Sequence, residues 1–170
     1  MGPARPRGIV AAGHDATADA AAVALRAGGN AFDAAVAAGF AATVCEPGLT
    51  SLAGGGFLLA RTADGHDRLV DFFVTTPGLG LGHRPTPVFD EVSVSFGAAD
   101  QTFHCGPGSV AVPGTLAGLL HIHETLGRLP LASVVAPAAD LAERGVTVGP
   151  AQAAVITILE PILRRTPASR

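Results

Sequence analysis

From Asn30 onward, Phe32, Val36, Phe40 and Val44 recur at every fourth position, the spacing that lays an apolar stripe along one face of a helix. Ala34, Ala35, Ala37, Ala38, Gly39, Ala41 and Ala42 fill the positions between. A helix this smooth lets another backbone pack closely, so a buried central helix is predicted over 31–44. Asn30 is a favoured N-cap, and Gly28-Gly29 suits the left-handed turn that ends the preceding helix. Glu46-Pro47 closes the central helix, because the residue before proline is pushed out of the helical region.

The same reading along the rest of the chain predicts alternating blocks. Residues 8–12 form a short apolar segment with strand character, and a helix over 16–27 is capped by Asp15 or Thr17. Residues 48–56 are a loop. Two strands follow, 57–61 and 69–73, joined by Ala63-Asp64-Gly65-His66, where Asp-Gly supplies the positive φ of a tight hairpin. The run 77–87 (PGLGLGHRPTP) is too rich in proline and glycine for regular structure. A weak alternation at Val92, Val94 and Phe96 marks a strand within 89–103, and 110–112 another. Helices are expected over 115–126, closed by Gly127, and within 131–144, closed by Gly145. Pro137 favours a helix that begins near it over one continuous rod. A last helix over 151–165 is bent at Pro161. Helices and strands in separate blocks imply an α+β class.

Composition narrows the function classes. At 170 residues the chain suffices for a single domain, 1–170, with a loose tail at 1–7. With 48% hydrophobic and 15% charged residues it is not a disordered chain. A net charge of −3, with all basic side chains arginine and scattered, offers no basic stripe for nucleic acid. The longest apolar stretch, 31–45, is too short to span a membrane and carries Asp33. Met1–Gly13 lacks the apolar core of a signal peptide, so a cytoplasmic protein is expected.

Candidate chemistry is sparse. Cys45 and Cys105 are too far apart in sequence to define a disulfide framework or a metal motif. Cys45 ends an apolar helix and reads as a small buried hydrophobe, and Cys105 reads as neutral. His121 and His123, two residues apart on a helix, point about 200° away from each other and cannot chelate one ion. His14 suits a local cap, His66 and His83 lie in polar loops, and His104 beside Cys105 is not placed to form a dyad. Asp15 and Asp19 suit the positive end of a helix. Gly54-Gly55-Gly56 precedes a strand and lacks the Gly-Lys-Ser/Thr ending of a phosphate loop, so close backbone packing explains it. No metal and no cofactor are expected.

The string GGNAFDAAVAA, then Glu46-Pro47, then GGGFLL, then a strand ending in Asp71-Phe72, resembles the N-terminal part of the large subunit of the gamma-glutamyltranspeptidase family. The likeness runs from about Gly8 to Pro150 and includes Val112-Pro113-Gly114 and the Leu129-Pro130-Leu131 turn. It implies part of the four-layer αββα sandwich of the N-terminal-nucleophile hydrolases, lacking the small-subunit half. It also implies a gamma-glutamyltransferase or glutathione hydrolase type of acyl transfer from a small-molecule amide. The nucleophile there is an N-terminal threonine freed by self-cleavage. That threonine has no match here: Thr75-Thr76 is followed by Pro77 and belongs to another part of the pattern. No catalytic residue is therefore assigned, and the isolated chain is expected to be inactive without the missing segment or a partner chain.

The resemblance also implies an arginine after the second hairpin strand, holding the substrate α-carboxylate by paired hydrogen bonds. Asp71, Phe72 and Pro77 fit that pattern, and Phe73 stands at the arginine position. A phenyl ring cannot compensate a carboxylate. Two readings of Phe73 remain: a core residue, or the wall of an apolar acyl pocket in a cephalosporin-acylase-like amidase. A non-catalytic remnant or scaffold subunit that binds a partner chain is the alternative from another class.

Overall fold

A computed structural model describes residues 8–83 and 86–167. The tail expected at 1–7 and two residues of the irregular loop lie outside them. The described residues fall into two compact units: those up to Val74 together with Pro113–Thr147, and Thr75–Val112 together with those from Val148 on.

The first unit is built around a helix of small residues. Helix α1 spans Asp15–Arg26 and α2 spans Ala31–Cys45. The N-cap of α1 is His14, whose Nδ1 accepts from the Ala16 amide at 3.1 Å. Asp15 instead lies in the first turn and Thr17 is buried, so neither takes the expected capping role. α2 packs against α1, against α3 (Thr115–Leu126) and against α4 (Leu131–Arg144). Val36, Ala37 and Ala41 are fully buried and Phe40 nearly so. The close approach expected of this helix is visible at Gly39, where an added Cβ would lie 2.7 Å from Leu119 Cδ2.

The start of α2 is held by more than its cap. Asn30 Oδ1 accepts from the Phe32 and Asp33 amides at 2.9 and 3.0 Å, and Asp33 Oδ2 accepts from the Asn30 amide at 2.8 Å. This reciprocal pair satisfies donors that a helix start leaves open. The Asp33 carboxylate, fully buried, also accepts from the Arg128 amide at 2.9 Å and the Leu129 amide at 3.2 Å. Asn30 Nδ2 donates to the Leu126 carbonyl at 2.6 Å. Two side chains at one helix start thus clasp the α3–α4 connection. A buried carboxylate is tolerated here because backbone donors surround it.

α4 runs unbroken through Pro137, against the expectation of a helix starting there. Proline leaves the Ser133 carbonyl without its intrahelical donor, at a cost of about 3 kcal/mol in a helix interior. Val134 and Ala138 lie on one face and are both buried in the core, so packing on both sides of Pro137 holds the rod together. Residues 8–12 are not a strand; Val10 packs against the helical core without a ladder partner.

The hairpin of this unit pairs β1 (Phe57–Arg61) with β2 (Asp67–Asp71), antiparallel, from Phe57↔Asp71 to Arg61↔Asp67. Gly65, at φ 86°, makes the turn, and the Thr62 amide donates to the His66 carbonyl at 2.9 Å. Because the turn closes at His66, β2 begins two residues earlier than expected. Leu58, Ala60, Val70 and Phe72 face the helices, and Phe57, Leu59, Leu69 and Phe73 remain exposed on the opposite side.

The second unit contains a second hairpin, β3 (Asp90–Ser95) with β4 (Asp100–Cys105), turned at Gly97 with φ 85°. The expected strand at 110–112 reduces to one bridge, Thr75↔Val112. The expected last helix is broken rather than bent: α5 (Pro150–Ile158) stops at Leu159, and α6 (Glu160–Leu163) starts with Pro161 at its second position. There the missing N–H of proline costs nothing. Arg165 pairs with Asp90 and joins the end of α6 to β3. The mixture of helices and antiparallel strands is the expected α+β class. Among the described residues no helix is long and apolar enough to cross a membrane.

Candidate functional site

The most constrained place in the first unit is where the glycine loop, the end of the hairpin and the start of α3 meet. The Gly54 carbonyl accepts from the amides of Gly114 and Thr115 at 2.8 and 3.0 Å. Gly56 and Phe72 exchange two backbone hydrogen bonds, at 3.1 and 3.3 Å, which extend the ladder one pair beyond β2. A Cβ at Gly55 would stand 2.5 Å from the Val74 amide nitrogen and 2.9 Å from Phe73 Cα. A Cβ at Gly56 would meet Phe72 Cε2 at 2.9 Å, and Cβ atoms at Gly114 and Gly118 would overlap Phe72 itself. The triple glycine thus serves close backbone packing, as its sequence context implied. Only glycine fits between two backbones at this spacing.

This junction fixes the direction of Phe73. Its amide donates to Asp71 Oδ1 at 2.9 Å, which bends the chain out of the ladder. Its ring stacks on Phe57 with centroids 5.3 Å apart and planes 11° from parallel. Phe73 and Phe57 are 53% and 58% exposed, so Phe73 does not pack in the core of the described residues. Phe72, the preceding residue, takes the inward position beside Gly118 and Gly56. Strand alternation explains the difference: neighbours in sequence face opposite sides. Arg61, on the same face of β1 as Phe57, is paired with Asp67 at 3.1 Å at the far end of the ladder. The stacked rings and exposed Leu59 and Leu69 share this face with Asp71 and the Arg61–Asp67 pair.

The other residues singled out in the sequence do not gather around this junction. His121 is exposed, and His123 Nε2 lies 2.8 Å from the Leu129 carbonyl, beside the clasp made by Asp33. Among the described residues no group of three or more His, Cys, Asp or Glu is placed to hold a metal. His66 and His83 are exposed. His104 sits across the β3–β4 hairpin from Glu91, 3.6 Å away, with its ring edge-on to Phe89. Cys105 is half-buried and, like Cys45, is a free thiol.

Cys45 is buried beside Thr17. Burial pushes its thiol up, with its hydrogen bond with Thr17 opposing and the Glu46 charge adding to the rise. A thiol held protonated in this way is a poor nucleophile. Glu46, which follows it, accepts from Thr17 Oγ1 at 2.9 Å and fills the space over Gly13. The Glu-Pro pair therefore ties the start of α1 to the end of α2. Sequence reading missed both this tie and the clasp at Asp33, whose only local sign was an acid three residues after an Asn cap.

In the second unit, Thr76, Pro77, Leu79, Leu81, Pro87, Val88 and Pro107 line an apolar cleft of about 620 Å³. Thr75 is bridged through its backbone to Val112.

A family profile described as Gamma-glutamyltranspeptidase matches residues 17–170. The chain is 40% identical over 161 residues to the Acylase ACY 1 proenzyme of Pseudomonas sp. (strain SE83), covering 95% of this chain and 29% of that protein. It is 36% identical to the Glutathione hydrolase proenzyme of Escherichia coli (strain K12), over 89% of this chain and 25% of that protein. Among solved structures, gamma-glutamyltranspeptidase from Helicobacter pylori superposes with a TM-score of 0.75 at 27% identity, covering 95% of this chain and 45% of that one. The corresponding values for gamma-glutamyltranspeptidase from Pseudomonas nitroreducens are 0.75 and 28%, with 94% and 46% covered. The chain thus spans under a third of the length of these curated relatives and under half of these solved chains. Its fold is accordingly part of the N-terminal-nucleophile hydrolase sandwich. The α2 string, the glycine junction and the profile match agree, and this chain belongs to the gamma-glutamyltranspeptidase family.

Proposed function

We propose that residues 1–170 are the front part of the large-subunit domain of an amidohydrolase that transfers an acyl group from an amide to a threonine hydroxyl, then to water or an amine. The observation that carries the reading is the profile match over 17–170, joined to relatives described as an acylase and as glutathione hydrolases. The threonine lies outside this chain, and the chain alone does not turn over substrate. The rest of the protein covers the exposed Leu59 and Leu69 of the hairpin. The test is an anilide assay on the purified chain and on the same chain co-produced with the remaining segment of its protein. Turnover only in the combination is expected. Turnover by the chain alone overturns the assignment of the nucleophile.

A second reading concerns the acyl group. Phe73 stands where the family resemblance implies a carboxylate-binding arginine, and its ring is exposed and stacked on Phe57. An aminocarboxylate facing those rings would lose hydrogen bonds to water without replacement, a cost of a few kcal/mol in a dry site. The rings instead suit a neutral apolar acyl side chain. In the combined enzyme, apolar acyl anilides are expected to be turned over faster than gamma-glutamyl anilide, and Phe73→Arg to narrow the difference. A wild-type preference for the gamma-glutamyl substrate contradicts this reading and leaves the acyl-transfer proposal standing. A non-catalytic scaffold role is what remains if the combined protein turns over neither substrate while still assembling. A cytoplasmic location completes the proposal and rests on the sequence alone; recovery of the protein from the medium or the envelope on cell fractionation overturns it.

A further inference from the structure

We draw no further inference here: the strongest candidate, the apolar cleft of the second unit lined by Pro77, Leu79, Leu81, Pro87, Val88 and Pro107, is an unpartnered surface and nothing in the structure shows what fills it.

Discussion

The two compact units differ in what they bury. In the first, Ala20, Ala24, Val36, Phe40, Leu119, Ile122 and Val134 belong to one continuous cluster drawn from four helices. In the second, Val94 is the one buried hydrophobic among the described residues, and the buried Gln152 leaves its Oε1 without a hydrogen-bond partner. A closed apolar cluster is what stabilises a small fold. A hairpin with a single buried valine and a short broken helix depend on whatever else covers them. The same chain therefore carries one region with its own core and one without.

The sharpest way to break this contrast is at Asp33. Asp33→Ala strips acceptors from the amides of Asn30, Arg128 and Leu129, all inside the first unit. Orphaned buried donors cost about 1–3 kcal/mol each. A loss of about 3 kcal/mol or more is expected in urea unfolding followed by far-UV circular dichroism. A loss under about 1 kcal/mol would show that the clasp is replaceable by water.

A matched pair of truncations sharpens the comparison. Val36→Ala removes a fully buried side chain from the first unit, and Val94→Ala does the same in the second. Lost transfer free energy and the residual cavity together come to about 2 kcal/mol for Val36→Ala. Val94→Ala is expected to leave the main helical transition unmoved. Equal losses in the main transition would mean that the two units unfold as one cooperative body.

The smallest effect is chemical. Cys45 is buried with its thiol pushed up, whereas Cys105 is half-buried. Burial both lowers the thiolate fraction of Cys45 and shields it from reagent. Ellman titration of the native chain is expected to show one fast thiol and one clearly slower. Two equally fast thiols would show that the end of α2 opens readily.

How much of this was legible in the sequence follows from how local each signal is. The cap at Asn30, the stripe through Val36 and Phe40 and the hairpin turn at Gly65 are set by near neighbours in sequence, and all three stand in the structure. So does the close packing at Gly55, because a triple glycine before an apolar strand has few other physical uses. What escaped depends on distant partners. Pro137 stays helical because Val134 and Ala138 reach the core on either side of it. Asp33 is a clasp only because Arg128 and Leu129, about a hundred residues on in sequence, fold back over it. Which of Phe72 and Phe73 faces the helices depends on strand phase, which alternation among so many apolar residues does not fix. At the candidate site, the family resemblance implied that Phe73 stands at an arginine position. It did not show that the ring is exposed and stacked on Phe57.

The proposed function requires that β1 and β2 form an unfinished sheet that the rest of the protein extends. Hydrogen–deuterium exchange of the outward-pointing amides of β1 and β2, read in this chain alone and in the full-length protein, tests it most directly. The account expects those amides to exchange quickly in the isolated chain and to become protected in the full-length protein, while the α2 amides stay protected in both. Equal protection of the hairpin in the two samples would contradict it.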